Sequence, residues 1–246
     1  MWIIRHTIRR RQQDTGRERG LEMITDLGSN DNLSTCPICR EIADRKMPQE
    51  LTKIYGIEYR IIIEEDNFFV IPSVSPLKLG HIMIVPRTHI SSMIQLPSDY
   101  ITRFLTLKHD VLNRVRDLFG PVFCWEHGIG KCKMGGCGIT HAHFHVLPMS
   151  EDGSSRLSTV LTEMFPCSRT IKSTKTFFET TKPSYSYLYW EFELQEPRLV
   201  TMEQIRSQLM RQLISEAEGL DTWDWREYTN WESFCETFQH LQVTGL

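Results

Sequence analysis

Short apolar runs and alternating apolar and polar positions dominate the middle of the chain, and such patterns predict β-strands. Several runs are rich in β-branched residues, and Asp66 and Asn67 are turn-forming residues between two of them. The predicted strands cover residues 59–64, 68–71, 81–85, 122–126, 140–147 and 185–194.

Three stretches carry apolar residues at helical spacing. The clearest ends at Gly120, where Pro121 prevents continuation. A second helix is predicted over 201–218, because Thr201 begins a capping box, and a short helix is predicted over 230–242. Strands at the centre with helices before and after them predict an α+β fold with an antiparallel sheet.

The bulk composition narrows the function classes. With 246 residues, 40% hydrophobic and 24% charged, the chain has enough apolar side chains for one large domain, or for a core domain with an extension. A net charge of -3 gives no general field for nucleic acid, so no nucleic-acid partner is expected. The longest apolar runs, such as residues 82–85, are too short to cross a bilayer, and no membrane partner is expected.

Residues 1–34 form a basic segment without an apolar stretch that would suit a signal peptide, so a disordered tail is expected; an organelle transit peptide is the alternative. The seven cysteines are an odd number, which is unfavourable for a secreted disulfide scaffold. These features together predict a cytoplasmic protein in a reducing environment.

Three histidines alternate in the run His141, Ala142, His143, Phe144 and His145. Side chains alternate between the two faces of a strand, so the histidines point one way and the apolar residues point into a core. A row of imidazoles on one face has no packing purpose and indicates a chemical site. The alternatives are ordinary surface histidines, or a catalytic metal site in which two alternate histidines bind zinc.

The pattern His-x-His-x-His resembles the signature of the histidine-triad (HIT) family, and residues 75–89, with Gly-His before an apolar strand and Pro-x-x-His after it, resemble the family's other segment. Glu-His-Gly at 126–128 is similar to a motif of one subgroup, and 223–226 loosely resembles that subgroup's C-terminal extension. The resemblance implies a HIT-like α+β domain over 35–150 with a central antiparallel sheet of about five strands and flanking helices. It also implies that 151–246 is an α/β extension packed on the core.

The resemblance implies phosphorus chemistry. In this family the middle histidine attacks the α-phosphate of a nucleotide, so His143 is the expected nucleophile, with its other ring N–H held by a backbone carbonyl, that of His141. His145 is expected to stabilise charge on the phosphoryl oxygens. The expected phosphate or nucleotide contacts are Ser73, His81, Glu126, His127 and Gly138. Ser73 and Gly138 differ from the residues that are common at these family positions.

Cys36 and Cys39 form a Cys-x2-Cys pair, and two cysteines cannot close a tetrahedral zinc site. A redox pair is the alternative, but the expected thioredoxin-like context is missing. The resemblance extends to zinc-bearing HIT proteins and to galactose-1-phosphate uridylyltransferases. It implies a structural zinc ion with four ligands: Cys36, Cys39, His89 and His141. Cys132 and Cys137 are a rival ligand pair.

The expected function is therefore that of a nucleotidyl hydrolase or transferase. It would cleave a phosphoanhydride or phosphoramidate bond through a covalent nucleotidyl-histidine intermediate. Two alternatives stay open: transfer to phosphate or a sugar phosphate, and a nucleotide-binding interaction module whose catalysis is incidental. A homodimer through the central helix and the sheet edge is also left open, since the extra residues could cover that surface.

Overall fold

The computed structural model of the protein describes residues 36–130, 139–181, 184–203 and 205–243. The helices are Pro37–Asp44 (α1), Gln49–Tyr55 (α2), Ser98–Phe119 (α3), Glu151–Met164 (α4), Thr174–Thr180 (α5), Leu209–Glu218 (α6) and Trp231–Val243 (α7). The strands are Ile63–Glu64 (β1), Phe68–Pro72 (β2), Ile82–Pro86 (β3), Val122–Gly128 (β4), Phe144–Pro148 (β5), Arg169–Thr170 (β6), Ser186–Phe192 (β7) and Arg198–Met202 (β8). The predicted basic tail, residues 1–34, lies outside the described residues.

All eight strands belong to one antiparallel sheet, in the order β1-β2-β3-β5-β4-β7-β8-β6. The α+β class is confirmed, and the strands from residues 63–148 supply the five predicted for the core. The sequence did not predict that the extension continues this sheet. β7 pairs with β4 from Phe123 to Gly128, so the backbone edge of the five-stranded part is hydrogen-bonded within the chain.

Two apolar layers cover the two faces of the sheet. On one face, Ala142 and Phe144 pack with Phe104 and Val111 of α3, as the alternation of the histidine strand predicted. On the other face, Trp125 packs in one cluster with residues of α4 and α6. The histidines therefore lie on the side of the sheet that the extension covers.

The extension also contacts the central helix, one of the two surfaces through which a homodimer would form. Phe178 of α5 lies against Phe104 of α3, with 5.7 Å between ring centroids, and Lys108 of α3 donates a 2.6 Å hydrogen bond to Thr174. Since β7 pairs with β4, both the central helix and the sheet edge contact residues of the same chain. No helix in the described ranges is long and apolar enough to span a bilayer.

Three predicted elements differ clearly from the structure, and one of them is the strand predicted over 59–64, which covers only Ile63–Glu64. The helix predicted over 201–218 begins only at Leu209, because Thr201 pairs with Tyr187 as part of β8, and this cross-strand pairing outweighs the local capping signal. The predicted histidine strand begins at Phe144 rather than at residue 140. Helices α1, α2, α4 and α5 were not predicted; they are mostly short, with 8, 7, 14 and 7 residues respectively.

Candidate active site

His145 lies in β5 and pairs across the sheet with Trp125 of β4. The two rings are stacked, with 4.3 Å between their centroids and 8° between their planes. His143 precedes the strand and meets His145 edge to face at 4.7 Å between centroids. Both histidines are buried, and the indole fixes the plane of the His145 ring.

His143 holds one ring nitrogen against the backbone. Its Nδ1 lies 2.8 Å from the carbonyl oxygen of His141 and donates to it, the partner that the sequence predicted. The other nitrogen, Nε2, therefore carries the lone pair. Burial lowers the pKa of His143, and the positive charges of Arg211 and Arg60 lower it further, against the opposing effect of the carbonyl bond. A neutral imidazole with an available lone pair is the form that can attack phosphorus.

A chain of hydrogen bonds fixes the opposite tautomer in His145. The backbone N–H of Leu77 donates to Nδ1 of His81 at 3.1 Å, so the proton of His81 is on Nε2. That Nε2 donates to Nδ1 of His145 at 3.0 Å, which leaves the proton of His145 on its own Nε2. Within the described residues, this buried Nε2 has no hydrogen-bond partner. His145 therefore offers an N–H donor beside the lone pair of His143.

This network gives His81 a supporting position behind His145. Both of its ring nitrogens are engaged, and the residue is completely buried. It therefore cannot contact a phosphate directly. In this geometry His81 orients His145, and no sequence motif marks the amide of Leu77 that sets the tautomer of His81.

Glu126 and His127 were both expected to contact the nucleotide, but adjacent residues of β4 face opposite sides of the sheet. His127 lies on the face of Trp125, and its buried Nε2 has no partner within the described residues. Burial, and then the neighbouring His143, lower the pKa of His127 to about 4. His127 thus remains a candidate contact for a ligand.

Glu126 lies on the other face, away from the histidines. Its carboxylate accepts 2.6 Å hydrogen bonds from the backbone N–H of Met93 and from the hydroxyl of Tyr187. Burial raises the pKa of Glu126 to about 7, against the opposing effect of these two bonds. Glu126 therefore joins β4 and β7 to the short 3₁₀ turn Met93–Gln95.

Ser73 follows β2 on the histidine face, because it alternates with Phe69 and Ile71, whose side chains pack with Met83. Its backbone N–H donates to the carbonyl of His81 at 3.0 Å, and the residue is buried. This position keeps Ser73 beside the histidines. Gly138, the remaining expected contact, lies outside the described residues, as do Cys132 and Cys137.

Four potential metal ligands meet at the other end of the histidine run. The ligand atoms of Cys36, Cys39, His89 and His141 all lie within 4.8 Å of one another. Nδ1 of His141 lies 3.6 Å from Sγ of Cys36 and 3.3 Å from Sγ of Cys39, and Nδ1 of His89 lies 3.2 Å from Sγ of Cys39. Two ligands on one tetrahedral zinc ion are about 3.5 Å apart, so the donor set is compatible with zinc.

The surroundings of this cluster suit a cation. Nε2 of His141 donates to the carbonyl of Pro86 at 2.8 Å, which leaves the Nδ1 lone pair directed at the thiols. Burial lowers the pKa of His141 to about 4, so the ring is neutral, as a ligand must be. Burial, and then the neighbouring Cys36, raise the pKa of Cys39 to about 12. A cation between the sulfurs would offset the cost of their negative charges.

Two buried arginines near the histidines were not expected from the sequence. Arg60 forms a two-point ion pair with Glu41, with bonds of 2.7 and 2.8 Å. Arg211 comes from α6 of the extension and is 4% exposed. Neither belongs to a local motif, so only the fold brings their charges near His143.

Residues 56–152 match the HIT domain family. An uncharacterized HIT-like protein of Borreliella burgdorferi is 24% identical over 117 residues, which span 46% of this chain and 74% of that protein. Two solved structures are also similar to this chain, with TM-scores below 0.5. A HIT family hydrolase from Clostridium thermocellum has 19% identity, a TM-score of 0.35 and coverage of 50% of this chain and 95% of its own. A zinc-bound histidine triad family protein from Mycobacterium smegmatis has 22% identity, a TM-score of 0.31 and coverage of 41% and 73%. Residues 56–152 are therefore a HIT domain, which confirms the resemblance seen in the sequence motifs.

Proposed function

We propose that this HIT-domain chain is a nucleotidyl hydrolase or transferase that acts through a covalent nucleotidyl-histidine intermediate. One observation carries the proposal: His143 and His145 are neighbours with opposite tautomers. The first offers a lone pair for attack, and the second offers an N–H for the oxygen that gains charge.

The reaction has two steps that balance. Nε2 of His143 forms a bond to the α-phosphorus, and the phosphoanhydride P–O or phosphoramidate P–N bond breaks. The leaving group keeps the bonding electron pair and takes up a proton. Water, or a phosphate or sugar-phosphate acceptor, then attacks the same phosphorus, loses a proton and releases His143 by breaking the N–P bond.

A narrow apolar slot of about 40 Å³, lined in part by Ile139 just before the histidine run, is the candidate place for the nucleoside. Its lining includes Ile38, Arg60, Ile139 and Trp225. Ile139 lies two residues before His141, and the charge of Arg60 contributes to the lowered pKa of His143. The histidines themselves do not line the slot.

A structural zinc ion would be held by Cys36, Cys39, His89 and His141, and the fit of the donor set supports this assignment. With four protein ligands the ion has no open position for substrate, so its contribution is mechanical. It would tie the start of α1 to the segment that carries His143.

The test is a screen of adenylated and guanylated compounds with radiolabelled α-phosphate, followed by acid quench and detection of protein-bound label. Label retained by the wild-type chain and released as mononucleotide would support the proposal. Added phosphate or sugar phosphate separates the transferase from the hydrolase by the product formed. Tight nucleotide binding without any adduct or turnover would contradict the enzyme assignment and would support the nucleotide-binding interaction module.

A further inference from the structure

Arg211 lies on the inner side of α6, where its charged side chain is 4% exposed. Burying a charged group is unfavourable unless hydrogen bonds hold it. Nε of Arg211 donates to the carbonyl of Trp223 at 2.9 Å, and Nη2 donates to the carbonyl of Ser75 at 2.8 Å. The guanidinium is therefore fixed in orientation by two backbone segments.

The anchor at Ser75 connects this guanidinium to the segment that supports the reacting histidines. Ser75 lies two residues before Leu77, whose N–H sets the tautomer of His81. Leu213 of α6 packs in the same apolar cluster as Trp125, the ring that stacks on His145. α6 thus lies over the histidine face of the sheet.

The positive charge of Arg211 acts on His81 and His145. Burial is the largest cause of the lowered pKa values of these two histidines, and the charge of Arg211 contributes to both. A charge that favours neutral imidazoles at this position also attracts an anion placed between them.

We propose that Arg211 holds the phosphate of the nucleotide beside His143 and stabilises the negative charge that builds up on it during attack. A guanidinium suits this task because its planar donors match phosphate oxygens and it stays charged when buried. The inference rests on the proposed nucleotidyl transfer for its chemical role. It makes a residue of the extension part of an active site whose other groups come from the HIT domain.

The experiment measures binding of inorganic phosphate and of adenosine monophosphate by calorimetry in the His143→Asn protein, which cannot form the adduct. Arg211→Gln and Arg211→Met are compared in that background. Arg156→Gln is the matched control, because Arg156 also donates to a backbone carbonyl of α6, that of Ala217, at 2.7 Å. We expect both Arg211 variants to weaken phosphate binding by about 10-fold or more and the control to leave it unchanged.

Thermal midpoint and zinc content establish that each variant is folded. Arg211→Met is included because replacing a buried charge by an apolar side chain is often neutral for stability, so it keeps the test available if Arg211→Gln unfolds. Unchanged phosphate affinity in either folded variant overturns the inference, and so does a parent protein that binds neither ligand. Arg211-dependent binding without a nucleotidyl adduct in the wild type would retain this site and remove the proposed function. An adduct together with unchanged binding would do the reverse.

Discussion

His141 and His143 are two residues apart on the same side of the chain, yet their surroundings assign them opposite nitrogens. His141 donates from Nε2 to Pro86 and directs its Nδ1 lone pair at two thiols. His143 donates from Nδ1 to His141 and keeps its lone pair on Nε2, beside His145. The backbone carbonyl that accepts from one ring nitrogen therefore decides which nitrogen keeps its lone pair. That choice suits a histidine in this run either to bind metal or to attack phosphorus.

The two environments are also mechanically joined. The carbonyl that holds His143 belongs to His141, a member of the potential metal cluster. A metal ion at that cluster would fix the backbone on which the nucleophile's tautomer depends. The two histidines therefore differ in the role that each is suited to, but their positions are coupled through the backbone of His141.

The largest expected effect comes from replacing His143, because this removes the lone pair that would attack phosphorus. His143→Asn should lower turnover by several orders of magnitude and abolish the covalent adduct, because an amide cannot form a stable phosphoramidate. His145→Asn should cost less, about 10²–10³ in rate, because it removes one stabilising donor. Single-turnover kinetics with acid quench measure both.

The control for these variants is His109→Asn, on α3, where the ring bonds only Asn113 among the contacts described for it. Its turnover and adduct should match the wild type. Near-normal turnover by His143→Asn would mean that the two histidines do not differ in task, and the enzyme assignment would have to be withdrawn.

A smaller effect is expected when His145 is kept but the hydrogen bond that sets its tautomer is removed. His81→Leu cannot accept from Leu77 or donate to His145, and turnover should fall by about 10²-fold because the proton of His145 is no longer held on Nε2. His81→Gln offers one acceptor and one donor and should recover most of the rate. Equal losses in both variants would show that His81 fills space and does not orient its neighbour.

Changing the potential metal ligands should lower the stability of the protein before it lowers turnover. The wild type should carry about one zinc ion per chain, lost on changing Cys36 and Cys39 to serine. Losing about 3 kcal/mol would lower the thermal midpoint by roughly 6–12 °C. Atomic absorption and thermal unfolding measure these, with the exposed Cys167→Ser as control. A metal-free wild type of the same stability would leave the cluster without a cation.

The smallest effect is expected at Glu126, which belongs neither to the potential metal cluster nor to the pair His143 and His145. Its pKa is raised to about 7, so the native state keeps a proton that the unfolded chain releases near pH 4.5, and stability falls as pH rises through this window. Glu126→Gln cannot titrate. Its thermal midpoint relative to the wild type should therefore rise by about 5 °C between pH 5 and pH 8, without loss of turnover. An unchanged difference across this range would contradict the raised pKa.

Several features followed from the sequence because they depend on local geometry. The alternation of residues along a strand put Ala142 and Phe144 in the core and the histidines on the other side. The same rule could have excluded Glu126 from the site, since it cannot share a face with its neighbour His127. The resemblance to zinc-bearing HIT proteins also pointed to the four potential metal ligands, which the fold brings together.

Other features were decided only by the tertiary structure, because they join residues far apart in sequence. No local pattern shows that β7 pairs with β4, or that Arg211 of α6 lies over the histidine face and bonds to Ser75. The tautomers of the histidines depend on backbone groups such as the amide of Leu77, which every residue type carries equally. The sequence by itself therefore determined that the histidine run could carry the chemistry. The fold added Arg211 and decided which ring nitrogen each histidine can use, since only packing sets the partner of the other nitrogen.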